Sequence, residues 1–304
     1  MAVYRIHIRP KGGLADPKVS FKYCLEKEVL GLGWPVDTDE NHITWADFIT
    51  LAKEKYSQKN LTRVKYLKKH LKEDDLIWTR DANGEYYLAK SNSNWEYLSS
   101  SDALDADILN IIRCNILKVP SIDDVPGKVI ACFRPTRAIQ SIKDETTNNY
   151  SKYLWNKLSG TKNFADIDQA FTNVFSFLDA DESEDVIFIY LQTKGWIVIP
   201  NSRKADTMSY EFFLINKETS SKAIVQVKTG HTPLDPKEKK WTDRTEEVFL
   251  FQANGKYKNE PSGKVQCISP KSIEEFMRNN KFLLPASILH WLELYDKEKY
   301  NKAL

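Results

Sequence analysis

Apolar and polar positions alternate most legibly in the C-terminal half of the chain. Two apolar runs, Tyr210–Ile215 and Ala223–Val227, flank the polar segment Asn216–Lys222. That is the pattern of a β-hairpin with a longer loop. Upstream, Asp181 is placed to cap a helix over Glu182–Lys194, with Glu184 three residues on as its capping-box partner and Gly195 as the stop. Trp196–Ile199 follows as a strand. Val248–Gln252 and Val265–Ile268 read as later strands, and Ser269-Pro270 opens a helix through Phe276. Helix alternating with strand predicts an α/β core, a mixed sheet flanked by helices.

The N-terminal half has a different rhythm. A strand over Val3–Ile8 is followed by helices over Trp45–Tyr56 and Leu61–Leu71. In the second helix Leu61, Val64, Leu67 and Leu71 form an apolar stripe. Its other side carries Arg63, Lys65, Lys68, Lys69 and Lys72, a solvated face or a phosphate-contacting one. Asp75–Thr79 and Glu85–Lys90 read as strands joined at Asn83-Gly84, a hairpin turn. Trp95–Leu98, Asp107–Val119 and Lys128–Arg134 read as further strands, the last two separated by the turn Val125-Pro126-Gly127. Many short strands with such turns predict a small α+β barrel. Between the halves, Tyr150–Leu158 and Phe164–Leu178 read as helices behind a polar DETTNN stretch. The expected organisation is a recognition domain over 1–142, a helical linker over 143–180 and a second domain over 181–304.

Composition adds limits. The 304 residues suit two domains, and the net charge is only +2, so any nucleic-acid surface must come from local patches. No apolar run approaches the roughly 18 residues of a membrane span, and the opening MAVYRIHIRPKGG lacks the apolar core of a signal peptide. Cys24, Cys114, Cys132 and Cys267 lie far apart with no CxxC pair. They read as reduced and mostly buried in a cytoplasmic protein, and no zinc-ligand spacing is present.

Candidate chemistry concentrates on the Tyr210–Lys228 hairpin. Asp206 and Glu211 stand near the head of its first strand. Gln226 and Lys228 end the second on one face, because side chains alternate with a period of two. Glu211 and Gln226 are 15 positions apart, within reach of one hairpin. Phosphodiester hydrolysis needs an activated water and charge neutralisation, which Mg²⁺ (or Mn²⁺) supplies from oxygen ligands. Those ligands would be Asp206 or Glu211, the Gln226 amide and the Val227 carbonyl, with Glu184 reaching the metal through water and Lys228 orienting the water. Gln252 and Lys256 read either as cleft-lining residues or as turn chemistry, and His231 as a surface residue.

Gln226-Val227-Lys228 behind an acid-headed strand resembles the PD-(D/E)XK nuclease superfamily, in the QxK variant of Mrr-like restriction endonucleases. The resemblance covers about residues 181–280. It implies a restriction-endonuclease-like fold, Mg²⁺ and DNA cleavage, with a Glu-bearing helix ahead of the sheet matching Glu184. The lead-in SRKADTMSYE departs from the Gly-rich, Asp-containing pattern of that family, so the acid is Asp206 by residue type or Glu211 by position.

The first half sets aromatics near turns: Trp34 after Gly-Leu-Gly, Trp78, then Tyr86, Tyr87, Trp95 and Tyr97. Aromatic faces stack on bases and can hold a flipped one, and Asp81 or Arg80 is placed to bond a base edge. The alternative is plain core packing. DDLIWTRDANGEYYLAKSNSNWEYL with VPGKVIACFRP looks like the PUA/EVE-type small barrels. That resemblance implies an aromatic pocket for RNA or a modified DNA base, with Trp34 and Trp78 as the cage and Asp81 and Trp95 beside it. The expectation is a Mg²⁺-dependent DNA endonuclease of restriction or antiphage defence, with a homodimer compatible with double-strand cleavage. Its rivals are a repair or branched-DNA nuclease and an inactive nucleic-acid-binding module.

Overall fold

In the computed structural model the chain divides into two compact units, Met1–Asp168 and Gln169–Leu304. The structure describes residues 1–14, 16–40, 42–57, 60–135, 137–165, 173–200 and 210–301, with only the backbone at 12, 13, 146 and 298–301. The division falls within the segment read as a linker, and the helix Glu145–Ser159 belongs to the first unit.

The first unit is a curled mixed sheet with helices. Its strands among the described residues are β1 (Val3–Ile6), β2 (Val29–Leu32), β3 (Leu76–Arg80), β4 (Tyr86–Ser91), β5 (Glu96–Tyr97), β6 (Asn110–Lys118) and β7 (Ile139–Ser141). They lie in the order β2-β6-β4-β3-β1-β7, with β5 on β6. Only the β1–β3 pairing is parallel. The helices are α1 (Pro17–Lys27), α2 (Trp45–Lys55), α3 (Thr62–His70), α4 (Ser101–Ala106), α5 (Gly127–Cys132) and α6 (Glu145–Ser159). Thr44 and Asp47 close a capping box at the start of α2, and Asp16 with Pro17 starts α1. The predicted stripe on α3 is the one that packs inward: Leu61, Val64, Leu67 and Leu71 are buried in the main core. One expected strand is absent. Lys128–Arg134 lies instead in and just after α5, because a short apolar run fits either state and the Pro126-Gly127 pair opens a helical turn here.

The second unit is a mixed five-stranded sheet. Its strands are β8 (Trp196–Val198), β9 (Phe212–Asn216), β10 (Lys222–Lys228), β11 (Glu247–Gln252) and β12 (Val265–Ile268), in the order β12-β11-β10-β9-β8. β8, β9 and β10 form an antiparallel meander, and β10, β11 and β12 run parallel. The helices are α7 (Ala180–Thr193), α8 (Lys239–Thr242), α9 (Pro270–Asn279) and α10 (Ala286–Asn301). The start of α7 differs from expectation. Asp179 caps it and Glu182 closes the box, two residues earlier than Asp181 and Glu184. The described part of Phe164–Leu178 contains a 3-10 turn, Val174–Ser176, where a helix was expected.

β10 and β11 are central and carry near-continuous apolar runs, as strands buried on both faces do. Two glutamines interrupt them. Gln226 is 5% exposed and Gln252 is 0% exposed. Buried polar side chains in such strands are the informative exceptions. The four cysteines are free, two buried and two half-buried. Among the described residues no helix is long and apolar enough to cross a membrane.

Candidate functional site

The β9–β10 hairpin forms because its turn is self-capping. Asn216 Oδ1 accepts from the backbone N–H groups of Glu218 (3.0 Å) and Thr219 (3.1 Å), and Ser220 takes the left-handed conformation that closes the loop. Register then runs Ile224 to Phe213 and Val225 to Phe212. At the strand head the N–H of Glu211 donates to the Val225 carbonyl (2.8 Å), one position out of step with that pairing. The Glu211 carboxylate meets the Gln226 side chain there, accepting from its Nε2. The same Nε2 donates to the Val227 carbonyl (3.1 Å). Two of the expected ligand groups, the Glu211 carboxylate and the Val227 carbonyl, therefore meet at a third, the Gln226 amide. Lys228 follows on the same face and is solvent-exposed. Asp206 lies outside the described residues.

The face is set by neighbouring packing. Ile224, Val248, Leu250 and Val265 pack with Leu234 and Trp241 into one apolar cluster. Gln226, two residues after Ile224, lies at the edge of this face. Phe212 is on the reverse face, with its ring against Phe188 of α7. Glu184, half-buried on α7, belongs to the layer that covers that reverse face. Half-buried beside the Asp179 cap, Glu182 has its carboxyl pushed up, with desolvation the main cause.

Gln252 sits beside Lys228 in register. It does not line a surface. Its Nε2 donates to the carbonyls of Gly230 (2.7 Å) and Thr232 (3.4 Å). Its Oε1 accepts from the N–H groups of Asn254 (2.7 Å) and Lys256 (3.1 Å). One buried amide thus ties the loop after β10 to the loop after β11. The Tyr257 hydroxyl reinforces it, sharing its one proton between Leu250 O (3.1 Å) and Ile268 O (2.9 Å) and accepting from Gln252 N (3.0 Å). Exposed His231 extends from the clamped segment.

Glu211, Gln226 and Val227 carry oxygen donors of the hard kind that suits Mg²⁺. The Gln226 amide nitrogen spans the two oxygens that a cation would share. Among the described residues no group of three or more His, Cys, Asp or Glu side chains is placed to hold a metal. The donor set fits a cation that takes one carboxylate and neutral oxygens, and does not fit zinc.

The base-reading residues of the first unit separate. Trp78 is 0% exposed, with Nε1 donating to Ser151 Oγ (2.9 Å), so neither ring face is open to a base. Trp95 is 8% exposed, edge-on to Trp45, and donates to Asn110 Oδ1 (3.1 Å). Both expectations are corrected: these strand aromatics point into the core. Asp81 accepts from the N–H groups of Asn83 and Glu85 (2.9 Å each), holding the β3–β4 turn. It also lines a small pocket of about 240 Å³ with His7, Arg9 and Arg80. Trp34 is half-buried and lines a larger cleft of about 550 Å³. Tyr56, Arg63 and Asp107 share that cleft, and single-residue motifs did not single out Tyr56 or Asp107. The available signal was the Gly-Leu-Gly before Trp34. A side chain at Gly33 would overlap the Asp107 carboxylate, 2.3 Å from its Oδ1.

No family model, no curated protein and no solved structure matches this chain.

Proposed function

We propose that the chain is a Mg²⁺-dependent DNA endonuclease in which the first unit recognises nucleic acid and the second cuts it. In this reading the second unit is a restriction-endonuclease-like fold of the PD-(D/E)XK type, and the first a PUA/EVE-like module. The observation that carries it is the meeting of Glu211, the Gln226 side chain and the Val227 carbonyl, with Lys228 two positions on along the same strand. The element order supports it: a helix, a three-stranded meander, then a parallel strand beside the third.

Bound at this cluster, Mg²⁺ would neutralise phosphate charge and lower the pKa of a water. Glu211 and the Val227 carbonyl would supply oxygens to the cation, and the Gln226 amide, whose nitrogen now bridges them, would add its own oxygen. Lys228 is a compact cation at the solvent edge, where it holds the attacking water and the charge that grows on the phosphate. Gln252 fixes the loop behind Lys228. Restriction or antiphage defence is the setting this architecture suits.

One observation favours a second reading, a non-cleaving nucleic-acid-binding module. The Gln226 amide already satisfies both candidate oxygens, and a glutamine stands where a second carboxylate would strengthen a metal site. Incubating the protein with supercoiled plasmid and with branched and linear duplexes, with Mg²⁺ or Mn²⁺ and then EDTA, separates the readings. Metal-dependent cleavage that Lys228→Ala removes supports the endonuclease. DNA binding with no cleavage in either metal supports the binding module. Cleavage that persists in Lys228→Ala sinks the assignment of this site.

A further inference from the structure

The cleft beside Trp34 has a chemistry of its own. Three of the six described non-glycine residues with positive φ, Lys11 (47°), Trp34 (68°) and Asp107 (53°), line it. Backbone held in this sparse region persists only where surroundings over-determine it, and such residues cluster at ligand sites. The surroundings here do so. Lys11 N donates to Asp107 Oδ2 (2.5 Å), and the Tyr56 hydroxyl donates to Pro35 O (2.8 Å). Asn110 Nδ2 donates to the Gly33 carbonyl while its Oδ1 accepts from Trp95. The Trp95 indole that sequence reading assigned to a base instead holds the Trp34 loop in place.

We propose that this cleft binds one nucleoside monophosphate unit, its base on the Trp34 and Tyr56 side and its phosphate among Arg9, Lys11 and Arg63. The lining places those three cations against one acid, Asp107. Guanidinium forks match phosphate oxygens, and aromatic faces stack on any base. The acid narrows the class. A carboxylate among cations repels a ligand that is anionic throughout, and accepts from a base bearing an amino or imino N–H. A purely anionic peptide or a free phosphate lacks that second element. A volume of about 550 Å³ is within the range of small-molecule sites. The inference deepens the recognition half of the proposed function and rests on it; it stands apart from cleavage by the second unit.

The test is calorimetric titration of the full chain with nucleoside monophosphates, the matching nucleosides and inorganic phosphate. The monophosphates are expected to bind at least tenfold tighter than either part alone. Exposed Arg63→Glu is expected to remove the advantage of the phosphate and leave nucleoside binding in place. Trp34→Asn, whose new residue tolerates positive φ, is expected to weaken both by about tenfold or more, the scale of one lost stack. Comparing the free monophosphate with the same nucleotide unpaired in a mismatched duplex identifies the source. Tighter binding of the free form assigns a small-molecule ligand, and tighter binding of the duplex an extruded nucleotide. The proposal fails if no monophosphate binds in either form, or if binding is unchanged in both variants. Retained DNA binding in that event would leave the recognition reading standing, through another surface.

Discussion

The two candidate sites are held in opposite ways. The Glu211–Gln226–Val227 cluster sits at the head of paired strands, where β10 fixes Gln226 and Val227, a backbone bond to Val225 brings Glu211 alongside, and a buried glutamine clamps the loops behind. The Trp34 cleft is assembled mostly from loops and the ends of elements, and its walls rely on left-handed backbone at Lys11, Trp34 and Asp107. A sheet-borne site gains precision from backbone hydrogen bonds that form whether or not the site functions. A loop-borne site needs dedicated supports, and here these are side chains: Asn110, Tyr56, Trp95 and Asp107. Changes to core residues of the first unit should therefore damage its site through stability. Changes in the second should separate activity from stability.

The largest expected effect tests the first half of that contrast. Trp78→Ala empties a fully buried site and removes the hydrogen bond that Ser151 Oγ accepts, so the first unit should lose about 3–5 kcal/mol. Denaturant melts of parent and mutant measure this. A loss under about 1 kcal/mol would mean that Trp78 is exposed and open to a base after all.

Next comes Glu211→Gln. The substitution keeps an acceptor for Gln226 and removes the one described carboxylate of the cluster. Metal-dependent cleavage is expected to fall by about 10²-fold or more. The melting temperature should stay nearly constant. Unchanged cleavage would hand the acid role to Asp206.

How legible these sites were follows from the same contrast. The hairpin could be read because its evidence is local: alternation, a polar turn and an acid at one end. The cleft could not, because its lining comes from residues 7, 9–11, 31–35, 56, 60, 63, 107–108 and 138. Local patterns failed in recognisable ways. Asp179-x-x-Glu182 and Asp181-x-x-Glu184 are overlapping capping boxes, and only packing chooses the first. Alternation marks two faces of a strand without saying which is inside, so Trp78 and Trp95 read as readers while they are core. The run at Lys128–Arg134 was too short to separate strand from helix.

Gln252→Leu probes the clamp at smaller cost. It removes two donated and two accepted hydrogen bonds that tie a buried side chain to the backbone of both loops. A loss of about 2 kcal/mol is expected, together with weaker cleavage. Hydrogen exchange should show the amides of 230–232 and 254–256 opening while β9 stays protected. Uniform loss of protection across the sheet would show that Gln252 stabilises the core and not the loops.

The smallest effect is a pH difference. Burial holds His7 below its usual range, at about 4, and the cations of Arg5, Arg80 and Arg9 push the same way. A folded pKa below the unfolded value of about 6.5 makes His7 stabilising above that value, and the contribution fades as pH falls through about 4. Glu182 in the second unit and Asp107 in the first have the opposite sign. Burial raises both carboxyls, so each contributes most below its unfolded pKa and loses that contribution as pH rises. Acidification from pH 7 to pH 4.5 should therefore cost the first unit stability through His7, partly offset by Asp107, and should favour the second through Glu182. His7→Gln isolates the first contribution. Its melting temperature should fall less over that interval than the parent's, by an amount worth on the order of 1 kcal/mol after screening by solvent. An equal fall in parent and mutant would place the acid sensitivity elsewhere in the chain.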